Sequence, residues 1–143
     1  MAGFTYSGLK TSVQNYLDNT ETTFVNTINT FIETAEERIL KSVQLPVFRK
    51  NVTGSASANV EYLQTPDDFL SPFSLALIDS SSNYSYLLLK HVSWIRDYTP
   101  ARATTGEPLY YALFDNNTFI LAPTPGSALS FELHYNYRPA SLT

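Results

Sequence analysis

The side chains best able to do chemistry are few: His91 and His134, the adjacent carboxylates Asp67 and Asp68, and a set of tyrosines around Trp94. A metal site draws its ligands from short, repeated spacings, and neither histidine has a second histidine or a carboxylate three or four residues away. Hydrolysis by a carboxyl pair needs the two groups opposed across a substrate, whereas Asp67 and Asp68 are neighbours on one backbone. Following Thr65-Pro66 they read as the start of a turn, and a hydrolase with either as acid or base is a rival reading only. The serines form no Gly-x-Ser-x-Gly elbow, and the five glycines stand singly, so no phosphate-cradling loop exists. With no cysteine, thiol catalysis, thiolate metal sites and disulfides are all excluded. No catalytic, metal or cofactor-binding residue is assigned.

The aromatic residues admit two uses. Tyr110, Tyr111, Tyr135, Tyr137 and Trp94 could stack on a sugar or a base, which defines a second rival, a carbohydrate-binding β-sandwich. Tyr135 and Tyr137, however, share a strand face with Phe131 and Leu133, which favours a buried layer with hydroxyls at its rim.

The elements that must position these residues change period at Pro46. Before it, Thr5 to Asp18 predicts a first helix, with Tyr6, Leu9, Val13, Tyr16 and Leu17 on one face and Thr5 as its cap. Asp18-Asn19-Thr20 reads as the break. Thr23 to Val43 predicts a longer helix with an apolar face of Phe24, Ile28, Phe31, Ile32, Ala35, Ile39 and Val43. Glu37 and Lys41 on its polar side form an i,i+4 pair worth about 0.2–0.5 kcal/mol. Each helix needs more apolar partner surface than the other provides, so the remainder must come from the rest of the chain or from another subunit.

After Pro46, short β-rich runs alternate with turn residues. Strands are predicted at Val47–Thr53, Val60–Leu63, Phe73–Ile78, Tyr84–Leu89, Leu109–Phe114 and Thr118–Leu121, with hairpin loops at 79–83 and 115–117. Gly54 to Ala58 reads as a flexible hairpin tip, Lys90 to Tyr98 as a short helix with Val92 and Ile95 inward, 99–107 as a loop, and Pro123 to Gly126 as a turn. From Leu129 to Tyr137 the alternation is strict, which predicts one buried and one wet face. The fold class is therefore α+β: a two-helix hairpin over 1–45, part of a larger helical bundle, then an antiparallel sheet or small sandwich over 46–143, together one structural unit.

The 143 residues suffice for one core, with 43% hydrophobic side chains including 10 tyrosines and 9 phenylalanines. Nine basic against thirteen acidic residues leave a net charge of −4, which gives no general attraction for a phosphate backbone. No apolar run approaches the roughly 20 residues of a membrane span, and the N-terminus lacks the basic-then-apolar layout of a signal peptide. The Asn-x-Ser/Thr triplets at Asn51, Asn83 and Asn116 read as turn chemistry.

Four stretches in order carry a resemblance over nearly the whole chain: FVNTINTFIETAEERILKSVQLPVFRK, EYLQTPDDFLSPFSLALID, GEPLYYALFDNNTFILAPTP and FELHYNYRPASLT. Together they resemble the head-to-tail adaptor (connector) proteins of tailed bacteriophages, the tail tubular protein A type. The resemblance implies a non-enzymatic virion protein at the head–tail junction, made in the bacterial host cytoplasm. It would form a dodecameric homo-oligomeric ring between the portal protein and the tail nozzle or fibre proteins, with DNA passing through its lumen without specific binding. Glu36, Glu37, Arg38 and Lys41 on the second helix, and Tyr110 and Tyr111 entering the last hairpin, are the implied interface candidates. The runner-up in that setting is a tail-fibre-attachment module. Proteins of this kind continue past the last strand into helices that complete a bundle with the first two. Here Thr143 closes the sequence, so either the chain is shortened or neighbouring subunits cover the helices.

Overall fold

The computed structural model describes residues 5–43, 45–79, 81–101 and 103–141. Residues 1–4, residue 44 of the first motif, residue 80 of the predicted 79–83 loop, residue 102 of the predicted 99–107 loop and residues 142–143 of the last motif lie outside them. The chain divides into two compact units, one of the residues before Leu45 together with those from Pro139, the other of Leu45–Arg138.

The first unit holds α1 (Tyr6–Leu17) and α2 (Thr22–Ser42). Thr5 caps α1, its hydroxyl accepting from the Gly8 amide at 3.1 Å, and Asp18 ends it in the left-handed conformation at φ 47°. The Asn19 side chain then accepts from the Glu21 amide at 2.9 Å, bridging the break into α2. The hydroxyl of Tyr6 donates to the Asn29 side chain, joining the start of α1 to the middle of α2.

The second unit is a two-layer β structure. A 3-10 turn at Pro46–Phe48 precedes β1 (Arg49–Ala56), β2 (Tyr62–Gln64), β3 (Phe69–Ile78), β4 (Tyr84–Tyr86) and β5 (Leu88–Leu89). After α3 (Val92–Tyr98) come β6 (Thr105–Gly106), β7 (Tyr110–Asp115), β8 (Thr118–Ala122), β9 (Thr124–Pro125) and β10 (Leu129–Tyr137). Sheet 1 has the order β1-β10-β3-β4 and is antiparallel throughout. Sheet 2 has the order β2-β8-β7-β5, with β5 parallel to β7, and β6 pairs with β9 beside them.

Leu75, Leu77, Phe131, Leu133 and Tyr135 of sheet 1 meet Leu63, Tyr111, Phe119 and Leu121 of sheet 2 in the main core. The period of two turns Ala112, Ile120 and Ala122 to the other side of sheet 2, where Ile95 of α3 covers them. Strand β8 is consequently buried along its whole length.

Four expectations need correction. Gly54–Ala56 is strand rather than a flexible tip, because β10 pairs with β1 without interruption from Arg49↔Asn136 to Ala56↔Leu129. Glycine leaves room there: a Cβ on Gly54 would come within 2.7 Å of the Phe131 ring, which would have to shift. The run Tyr84–Leu89 breaks at Leu87, which is buried between β4 in one sheet and β5 in the other. Thr124–Pro125 is a short buried strand inside what reads as a turn, and it pairs with Thr105–Gly106, a strand inside what reads as the 99–107 loop. Asn136, on the side of β10 predicted to be wet, is 6% exposed and donates to the Ser71 hydroxyl at 2.9 Å.

Candidate assembly surfaces

Helix lengths decide how much of α2 its neighbour can cover. At 1.5 Å per residue, the 12 residues of α1 span roughly 18 Å and the 21 of α2 roughly 31 Å. The loop joins the end of α1 to the start of α2 and Tyr6 reaches Asn29, so α1 runs beside the first half of α2 only. Burial follows: Ile28 and Ile32 are buried, whereas Phe31 and Ile39 are 55% and 53% exposed, and Ala35 and Val43 are exposed too. The apolar face anticipated as continuous from Phe24 to Val43 is thus covered in its first half and open in its second. Burial together with the nearby carboxylates of Glu33 and Glu36 raises the Tyr6 hydroxyl above its ordinary pKa.

Four candidates flank this open half. Glu36 is half-buried and accepts from the Ser141 hydroxyl at 2.7 Å, within the same unit. Lys41 donates to Glu37 at 3.1 Å, the i,i+4 pair expected from spacing, and both are exposed, as is Arg38.

Tyr110 and Tyr111 part company, since adjacent residues of a strand face opposite sides. Tyr111 is 2% exposed, its ring edge-on to Phe119 in the core, so it is a packing residue and not a surface one. Burial raises its pKa. Tyr110 joins an aromatic group that includes Tyr98, a residue no spacing rule singles out. Trp94 and Tyr98 stack at 5.0 Å, and Tyr110 meets both edge-on at 4.6 and 4.9 Å. Lys90 lies over Trp94, 5.2 Å from a ring centroid. Trp94 and Tyr98 stay partly exposed, but Tyr111 and Tyr135 are buried and Tyr137 lies on β10 in the other sheet, so the five aromatics weighed as a stacking platform do not form one surface.

Asp67 is exposed, while Asp68 is half-buried at the head of β3. Lys50 of β1 and the Tyr135 hydroxyl of β10 both donate to Asp68, each at 2.7 Å, and its carbonyl accepts from the Arg138 amide at 2.7 Å. Burial alone would raise this carboxyl, but the bonds from Lys50 and Tyr135 outweigh it and hold Asp68 below the ordinary carboxylate range. Burial and the Asp68 carboxylate push Tyr135 up to about 12. The group is a clamp across three strands of sheet 1.

A second such tie fixes α3: Arg96 donates to Glu61 at 2.9 Å and to the Tyr62 hydroxyl at 3.3 Å. The bond to Glu61 chiefly raises the Arg96 pKa. His91 caps α3, its ring nitrogen accepting from the Ser93 amide at 3.2 Å, and His134 lies 3.5 Å from Glu132, to which Asn51 donates at 2.9 Å. Among the described residues no three His, Asp or Glu side chains group as a metal site requires, and no helix is long and apolar enough to cross a membrane.

Compared with known proteins, residues 4–143 match the family model described as SU10 adaptor protein. No curated protein matches the chain.

Proposed function

The chain belongs to the SU10 adaptor protein family, and from that premise we propose that it forms a ring joining the portal to the tail nozzle of a tailed phage. The family is a structural one of phage head-to-tail adaptors, so the protein is a virion component that associates with other head–tail proteins. In the proposed assembly identical copies, twelve in number, surround a lumen through which DNA passes. The observation that most supports this reading is the uncovered half of α2. Phe31, Ala35 and Ile39 line up over about two turns of α2 and stay exposed, an apolar surface that a neighbouring subunit or partner helix would bury. Glu36, Glu37, Arg38 and Lys41 would border that contact, with Tyr110 in a separate one. The net charge of −4 suits a passage for DNA, since a strongly basic lumen would hold phosphate and slow transit.

Electron microscopy of phage particles carrying an epitope-tagged copy tests the proposal. Antibody label at the head–tail junction, with twelvefold averages of the purified ring, is the expected result. Label confined to fibres or the capsid shell would overturn it.

A further inference from the structure

Among the described residues sheet 1 is open at both edges: β1 pairs only with β10, and β4 only with β3. An open edge of unpaired amides and carbonyls is a template for another strand, and proteins ordinarily blunt it with proline, bulges or inward charges. Strand β1 is eight residues long, free of proline and without a register shift, and its inward charge, Lys50, stands near its start and is tied to Asp68. Strand β4 is short, but its side chains stand out, with Tyr84 50% and Tyr86 65% exposed.

The hydrogen bonds around β4 fix which of its backbone groups are free. Asn83 accepts from the Asp79 amide at 3.0 Å and the Leu87 amide donates to Leu75 at 2.9 Å, so residues of odd number turn their backbone toward β3. In an antiparallel ladder the alternate residues, Tyr84 and Tyr86, therefore direct both N–H and C=O outward. That leaves four main-chain groups for an incoming strand.

We propose that the β1 edge of a second copy occupies the β4 edge, so that sheet 1 continues from subunit to subunit; this rests on the assembly of identical copies proposed above. Three features commit the site to this occupant. Sheet 1 has four strands in strict alternation, so a copy placed head to tail with the same orientation presents β1 antiparallel to β4, continuing the alternation. Two different complementary edges on each chain make a heterologous contact, the kind that closes into rings. The charges are complementary as well. β1 carries Arg49 and Lys50 and no acid, Lys50 being shared with Asp68 of its own chain, whereas Asp79 and Glu107 border Ser85 of β4 in a cleft of about 540 Å3 lined by no base.

Side chains match in face. Through the register Thr53↔Glu132↔Ala76↔Tyr86, the rings of Tyr84 and Tyr86 share a face with Arg49, Asn51 and Thr53. Across the junction tyrosine would then meet Asn, Thr or Arg, and aromatic–β-branched pairs are favourable cross-strand neighbours. Arg49 already lies over an aromatic ring in its own chain, 4.1 Å from the Phe73 centroid.

The absence of cysteine makes the test direct. Asn51→Cys combined with Tyr84→Cys or Tyr86→Cys in one chain places the two thiols three strand spacings apart, roughly 14 Å, too far for a bond within a copy. Mild oxidation of the assembled protein should give a ladder of covalent multimers on a non-reducing gel for one of the pairs. None of the three single-cysteine variants should give it, and reduction should abolish it. Tyr86→Pro removes an outward N–H that β3 does not use, so the monomer should keep its circular-dichroism spectrum while light scattering reports loss of the oligomer. Oligomers that form without a ladder from either pair, and that survive Tyr86→Pro, would overturn the strand pairing and leave the adaptor ring standing. A chain that stays monomeric at all concentrations and is absent from the head–tail junction would overturn both.

Discussion

Replacing Tyr135 by phenylalanine isolates one hydroxyl, and the structure sets both the size and the pH dependence of its effect. The hydroxyl donates to Asp68 at 2.7 Å, a bond to a charged acceptor, and such bonds contribute about 1.5–3 kcal/mol. At pH 7 the variant should lose about that much stability in urea titrations, with the slope unchanged. The second signature is in alkali. Folding raises the tyrosine from an ordinary value near 10 to about 12, so its linked stability is complete below pH 10 and disappears as pH rises through 12. A displacement of about two pH units, at about 1.4 kcal/mol each, amounts to near 3 kcal/mol in all, of which about half should be gone by pH 11. Contributions from parts of the protein that the substitution does not touch cancel in the difference. The gap between wild type and Tyr135→Phe should therefore narrow between pH 9 and pH 11. A gap that stayed constant over that range would show that loss of packing, and not the bond to Asp68, accounts for the change.

Three further outcomes follow from packing. Gly54→Ala drives a methyl group toward the buried Phe131 ring, and forced repacking of this kind costs about 1–3 kcal/mol, measurable as a lower denaturation midpoint. Ile28→Ala removes the more deeply buried of the two buried side chains of α2 and should cost about 2–5 kcal/mol, read as earlier loss of helical ellipticity at 222 nm. Ile39→Glu touches the open half of α2, so the monomer should melt within about 0.5 kcal/mol of wild type while assembly of the proposed ring, followed by light scattering, is lost. Asp68→Asn should lower stability at pH 7 and flatten the acid limb. The depressed Asp68 carboxyl contributes above its ordinary value near 4, and that contribution fades as pH falls through its lower folded value.

The helices and β10 were legible because each carries a long uninterrupted period: α1 and α2 lie within a residue of their predicted bounds, and β10 at its own. Thr5 as a cap, Asp18 as a break and Glu37–Lys41 as a pair are local, and local rules find them. What escaped was decided at long range. Gly54 resembles a loop residue until Phe131, 77 positions later, is seen to need the space above it. Nothing local splits Tyr84–Leu89, since Leu87 is drawn into the core by both layers at once. The partners in the Asp68–Lys50–Tyr135 clamp lie 18 and 67 residues apart, and those in the Arg96–Glu61 pair lie 35 apart. The apolar face of α2 could be drawn from spacing. Where its cover stops could not, because that depends on the lengths of two helices and on the Tyr6–Asn29 bond.

Leu87 has a mechanical meaning. With only this residue between β4 and β5, a single backbone belongs to both layers, and its side chain is sunk between them. Sliding one layer over the other by even one residue repeat, about 3.3 Å, would have to stretch or tear that corner. The sandwich is riveted there against shear, and any tug transmitted along the outer strand of one layer is delivered at once to the other.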